Sequence, residues 1–226
     1  MDQAESPNAG RRIRLIVAGV VAAALLVAAA FAAGSLSAPV ATAPSTTSAE
    51  AGFARDMQTH HLQAVEMSLI IRDLTDDPDV RLLAYDIATS QSQQAGQMNG
   101  WLTVWNLPQT SPEPSMTWMS RPALTGVSHE GMSEMGTGES DHEPGGAMPG
   151  MATSEQLAAL KGSEGDDAVR QYLTLMIAHH RGGVEMAQAL LERSTNRVVT
   201  DLAASIVQAQ TSEIGLMQDM LAERQP

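Results

Sequence analysis

The sequence predicts an all-α fold: a four-helix bundle made of two repeated helical hairpins, with an N-terminal transmembrane helix. Three observations lead there. Aromatic residues are only 3% of the chain, while Ala, Leu, Val, Met and Gln dominate its later segments, and Ala and unbranched side chains lose little freedom in a helix. A long apolar run follows a basic cluster near the start. Finally, shifting the chain by 119 aligns residues 53–102 with 172–221 without a gap, and fourteen of those fifty positions are identical.

Residues 1–14 carry Arg11, Arg12 and Arg14 and read as a cytoplasmic basic N-terminus. Residues 15–33 are uncharged and apolar. At about 1.5 Å per residue they nearly span a bilayer core of roughly 30 Å. Basic residues ahead of such a run place the N-terminus inside and the rest outside. The expectation is a single-pass membrane anchor with an exported C-terminal domain. Small Ala-x-Ala sites near residues 28–38 leave open a cleaved signal and secretion. Residues 34–50 are small and polar with two prolines and form a flexible linker.

The bundle domain is expected over residues 51–223. Its first helix runs over residues 51–74, with Phe53, Met57, His61, Ala64, Ser68 and Ile71 on one side. Asp77 is then a natural N-cap with Pro78 at the first helical position, where its missing N–H costs nothing. The second helix extends to about Leu107, before Pro108. Residues 108–152 are rich in Gly, Pro, Met and His and form a loop far longer than usual. Thr153 and Gln156 frame a capping box for a short helix ending at Lys161. Two more long helices follow, Asp167 to Arg193 and Arg197 to Ala222. Two hairpins of one design should pack face to face about a pseudo-two-fold axis.

The motif M-x-x-H-H-x-x-x-V-E-M occurs twice, supplying Met57, His60, His61 and Met67, then Met176, His179, His180 and Met186. At 100° per residue each set of four falls on one helix face about 120° wide. Imidazole with thioether is a borderline-to-soft donor set. It favours copper as Cu(I), then Cu(II) or Zn(II), over Mg or Ca. Asp56, Glu66 and Glu185 are candidates to support the ligands without touching the ion; the two glutamates lie nearly opposite Met57 and Met176 and so point away from the metal face. The second and fourth helices are expected to bring no matching inward carboxylates, which argues against a di-iron oxidase.

The long loop adds Met116 and Met119, Met132 and Met135, and Met148 and Met151, with His129 and His142 beside them. These are secondary metal candidates, because a solvated segment has little packing use for methionine. All six histidines lie in these candidate sites.

Other classes fall away. The formal charge of −13 and the lack of any basic stripe argue against nucleic acid. Without cysteine there are no disulfides, thiolate zinc sites or Cys nucleophiles. No nucleophile–base pair or phosphate loop appears, so an enzyme is not expected. The chemical reading is a copper-binding protein that sequesters, buffers or transfers Cu(I), with a copper-transfer protein as a candidate partner. The rival reading is a non-catalytic interaction module at the membrane surface whose His/Met faces are structural. Nothing in the pattern sets an oligomeric state.

At the paired motifs the chain resembles a bacterial family known as domain of unknown function three hundred and five. The stretch MATSEQLAALKGSEGDDAVRQYLTLMIAHHRGGVEMAQALL resembles its second half most closely. The resemblance covers residues 51–223. It implies a ferritin-like bundle, commonly exported, with copper binding and copper tolerance through Met57, His60, His61, Met67, Met176, His179, His180 and Met186. Two features depart from the family pattern. Gly182, Gly183 and Val184 replace a small residue followed by Ile, which should loosen the third long helix, and the Met-rich loop is longer than the core needs.

Overall fold

The structure is a computed structural model and describes residues 7–37, 43–124 and 143–224. It divides into two compact units, residues 1–43 and 44–226. The first contains α1 (Pro7–Ser37). Within it, Arg14–Ala32 has a mean hydropathy of 2.8 over 19 residues, long and apolar enough to cross a membrane.

The second unit holds α2 (Ala49–Leu74), α3 (Pro78–Val104), α4 (Ser154–Lys161), α5 (Gly165–Arg193) and α6 (Arg197–Ala222), with a 3-10 turn at Thr117–Ser120. No strand occurs among the described residues. The repeat is visible in the helix ends. Ser48 caps α2 by accepting from Ala51 N, Asp77 caps α3 by accepting from Asp79 N and Val80 N, and Asn196 caps α6 by accepting from Val198 N. Asp77 and Asn196 are matched positions of the repeat. Each therefore restarts the chain after a tight helix–helix corner. Thr153 and Gln156 bond reciprocally at the start of α4, at 3.2 and 2.8 Å.

Helices α2 and α3 form one hairpin, α5 and α6 the other, and α2 packs on α5. All four contribute to two apolar half-cores. One contains Phe53, Met57, Met98, Leu102, Met186, Leu190, Leu202 and Ile206. The other contains Met67, Ile71, Leu83, Ile87, Tyr172, Leu173, Met176 and Met217. Between them in sequence, on every helix, fall the buried polar residues His60 and His61, Gln91, His179 and His180, and Gln210.

The connection from α3 to α4 is tied to the bundle at several points. Arg55 donates to Thr46 O at 2.7 Å and to Pro108 O at 2.9 Å. Asp56 accepts from Met116 N at 2.7 Å and from Trp118 Nε1 at 2.9 Å. Trp118 meets Phe53 edge-on at 5.8 Å and fills the notch at Gly52, where a Cβ would stand 2.5 Å from the indole. Gln63 exchanges two hydrogen bonds with Ala152, at 2.8 and 2.7 Å.

Two expectations change here. Met116 and Met119 were expected in a solvated segment, yet both are buried in the first half-core beside Trp118. The reason is Asp56, which draws the backbone of this stretch onto α2. Gly182 and Gly183 were expected to loosen α5, but the helix runs unbroken through them. They admit close neighbours instead: a Cβ on Gly182 would lie 2.0 Å from Pro149 O, and one on Gly183 would lie 2.3 Å from Gln210 Oε1.

Candidate metal centre

The four histidines of the repeated motif are fully buried. They form a chain of rings across the bundle. His61 and His60 have centroids 6.4 Å apart, His60 and His179 meet across the α2–α5 seam at 3.8 Å with their planes tilted by 33°, and His179 and His180 are 6.3 Å apart. This close pair brings matched positions of the repeat together across the seam between α2 and α5.

Each ring nitrogen Nε2 has a protein acceptor. His60 donates to Pro149 O at 2.9 Å, His179 to His60 O at 2.9 Å, His61 to Gln94 Oε1 at 2.7 Å, and His180 to Glu213 Oε2 at 2.7 Å. Carbonyl and carboxylate oxygens only accept, so the proton of a neutral ring resides on Nε2. Nδ1 then carries a bare lone pair. All four Nδ1 atoms are buried and have no hydrogen-bond partner among the described residues.

Burial also keeps the rings of His60, His61 and His179 unprotonated. Desolvation lowers the pKa of His60 to about 4 against the helping hydrogen bond to Pro149, and that of His61 to about 3, with His60 next to it as a further cause. His179 is held well below the ordinary value by desolvation and then by the neighbouring His60. A ring that cannot take a proton keeps its lone pair for another acid. This is the arrangement metal-binding imidazoles use, one nitrogen fixed by a protein acceptor and the other free.

Met57, Met67, Met176 and Met186 are also fully buried. They do not gather at one point. Met57 and Met67 are ten residues apart on one helix, roughly 15 Å along its axis at the usual rise, and they fall in different half-cores. Across the seam Met57 shares a half-core with Met186 and Met98, and Met67 shares the other with Met176 and Met217. The repeat converts one trio into the other. Among the described residues, no group of three or more His, Asp or Glu stands close enough to hold an ion.

The remaining candidates divide. Met148 and Met151 are half-buried; they flank Pro149, whose carbonyl receives His60. His129, Met132, Met135 and His142 lie outside the described residues. Asp56 faces Met116 and Trp118, and burial raises its pKa although these two hydrogen bonds and Arg55 pull it down. Glu66 points outward to Lys161 at 2.9 Å, both largely exposed. Glu185 is half-buried on α5.

The site includes residues the sequence argument did not single out. Gln94 and Glu213 are matched positions of the repeat with different side chains, so a search for identities passed over them. Glu213 is the inward carboxylate that the fourth bundle helix was expected to lack. Its counterpart on α3 is the neutral Gln94, so the carboxylate has no match. Gln91 and Gln210 are identical repeat positions, and both amides are buried with no hydrogen-bond partner among the described residues.

Comparison with known proteins agrees with this architecture. The family described as domain of unknown function, DUF305, matches residues 50–221. The chain belongs to the DUF305 family. A DUF305 protein from Streptomyces coelicolor is 48% identical, with a TM-score of 0.67 over 80% of this chain and 96% of that one. A DUF305 fragment from Deinococcus radiodurans is 30% identical, with a TM-score of 0.57 over 77% and 96%. CopM in its Cu(I)-bound form is 20% identical, with a TM-score of 0.54 over 76% and 94%. At that identity the likeness is one of fold. CopM has also been solved in Cu(II)-bound, Ag-bound and apo forms. No curated protein matches the DUF305 chain at a significant level.

Proposed function

We propose that this DUF305 protein binds copper outside the cytoplasm, holding Cu(I) for sequestration, buffering or transfer in metal tolerance. The observation that carries the reading is the set of four buried imidazoles, each fixed through Nε2 and each presenting an unpartnered Nδ1. A buried polar atom without a partner is costly, and the cost recurs at matched positions of both hairpins. Metal ligation removes it. His60, His61, His179 and His180 would supply nitrogen, and Met57, Met67, Met176 and Met186 thioether sulfur. This neutral, polarizable donor set suits Cu(I) above harder ions.

The loop residues His129, Met132, Met135, His142, Met148 and Met151 would serve as the outer collector, while Met116 and Met119, buried in the first half-core, stay out of it. Half-buried Met148 and Met151 lie on the segment whose Pro149 carbonyl accepts from His60. CopM, a protein of the same fold, has been solved with Cu(I), Cu(II) and Ag, which supports copper as the ion. Export is supported by the apolar helix α1 and by the Streptomyces coelicolor relative, provisionally described as secreted. The reading is one of binding and transfer, not of catalysis.

The test is an anaerobic Cu(I) titration of the full chain in detergent, in competition with a chromophoric chelator. Replacing His60, His61, His179 and His180 together with Ala should abolish tight binding to the bundle. Binding unchanged in stoichiometry and affinity would refute the bundle site. A bound ion should also raise the melting temperature by mass action, whereas a purely structural His/Met core predicts no shift.

A further inference from the structure

We infer that the two hairpins hold inequivalent metal positions, and that the His180–Glu213 side takes the first cation while the His61–Gln94 side takes the second. The inference rests on the copper-binding reading and assigns an order to its sites.

The backbone and the ligand types of the two hairpins match. His61 and His180 are related by the repeat, both are fully buried, and both donate Nε2–H over 2.7 Å to the residue thirty-three positions later. What differs is that residue. On α3 it is Gln94, whose amide oxygen is a neutral dipole. On α6 it is Glu213, whose carboxylate carries a full negative charge and remains partly open to solvent, with 25% of its side chain exposed.

Two consequences follow for an ion at Nδ1. A carboxylate accepting from the far side of an imidazole pushes electron density onto the ligating nitrogen and makes it a stronger donor. A cation entering a dry interior also leaves its hydration behind, and that loss is offset only where an opposite charge is near. Around His180 that charge is Glu213; the other residue in ring contact with His180 is the neutral His179. Around His61, the neighbours named by ring contact and hydrogen bond are His60 and Gln94, both uncharged. Glu213 is thus a positioning residue. It touches no ion itself and acts through His180. A pair of unequal positions in one protein also suits passage of an ion, since the weaker one releases to a partner while the stronger one stays filled.

The experiment compares the full chain with Glu213→Gln, Gln94→Glu and the exchanged double variant. Cu(I) is titrated anaerobically, and histidine nitrogen shifts are followed by NMR. The wild type should show two classes of affinity, with the His180 Nδ1 signal moving in the first equivalent. Glu213→Gln should weaken the tighter class by roughly 10–100-fold, the range typical of lost outer-shell partners. Gln94→Glu should tighten the weaker class, and the double variant should move His61 first. Far-UV circular dichroism checks that each variant is folded, and Gln94→Glu tests the order even if Glu213→Gln does not fold. Equal affinities in the wild type, or His180 filling first in the exchanged variant, would overturn the order while leaving copper binding standing. A wild type that binds no Cu(I) would instead remove the functional reading beneath it.

Discussion

The hairpin α2–α3 and the hairpin α5–α6 share one plan, and they differ mainly where something polar or a third segment touches them. Apolar positions are interchangeable across the repeat: Met57 with Met176, Met98 with Met217, and Leu83 with Leu202, all buried. The polar contacts are not. Gln63 of α2 clasps Ala152, whereas the matched Gly182 of α5 gives way to Pro149. His60 donates to the connecting segment, whereas His179 donates to the backbone of His60. One chain crosses the seam once, so it can satisfy only one side of a symmetric pair. The lesson is that duplication copies a core, and a single crossover breaks the symmetry of its polar partners.

Acid should break the comparison most completely. His60, His61 and His179 have pKa values depressed in the folded state, to about 4 and about 3 for the first two. The unfolded chain therefore binds more protons than the folded one below the ordinary histidine value of 6.5. Stability from these groups is complete above that value and falls as pH drops from it toward the folded values. Urea midpoints measured from pH 7 to pH 4 should decline steeply, and Cu(I) should oppose the decline. A flat profile would show that the rings are not buried neutral.

Truncating the methionines comes next. Met57→Ala and Met176→Ala should each cost about 2–5 kcal/mol in chemical denaturation, as for other large-to-small core changes. The two losses should be similar, because both sites lie in fully buried, repeat-related surroundings. A large disparity would mean the half-cores pack differently despite their matched residues.

Smaller again is the effect that separates the hairpins. Gly182→Ala should destabilise by about 1–3 kcal/mol, the usual range for overpacking, since its Cβ meets the Pro149 carbonyl, which is backbone and yields little. At the ordinary helix position Gly215, where a Cβ meets nothing within 4 Å, the same change should stabilise by up to about 1 kcal/mol. Thermal denaturation of the two variants reads the contrast directly. The smallest effect belongs to the exposed Lys161–Glu66 pair. Lys161→Ala should shift stability by at most about 1 kcal/mol and leave Cu(I) affinity unchanged, which would place Glu66 outside the site.

Much of this protein is legible in its residues. Asp77-Pro78, the Thr153–Gln156 box and the shift of 119 mark helix starts and pairing because capping and periodicity are local. The histidine–methionine faces are legible for the same reason: 3.6 residues per turn places them without any knowledge of neighbours. Glu213 was hidden because its role depends on His180 being within 2.7 Å, a contact between helices. Met116 and Met119 were misread because a Met in a Gly- and Pro-rich stretch carries no sign of Asp56, sixty residues earlier.

What the sequence by itself determined is the set of donors, their duplication and the helices that bear them, since these follow from composition and short-range geometry. Only the tertiary structure decided how the donors are distributed. It put the histidines in a chain across the middle, parted each helix's methionines between two half-cores, and set a carboxylate behind one imidazole and an amide behind the other. The physical reason is distance: ligation and charge compensation act over a few ångströms between segments that lie far apart along the chain.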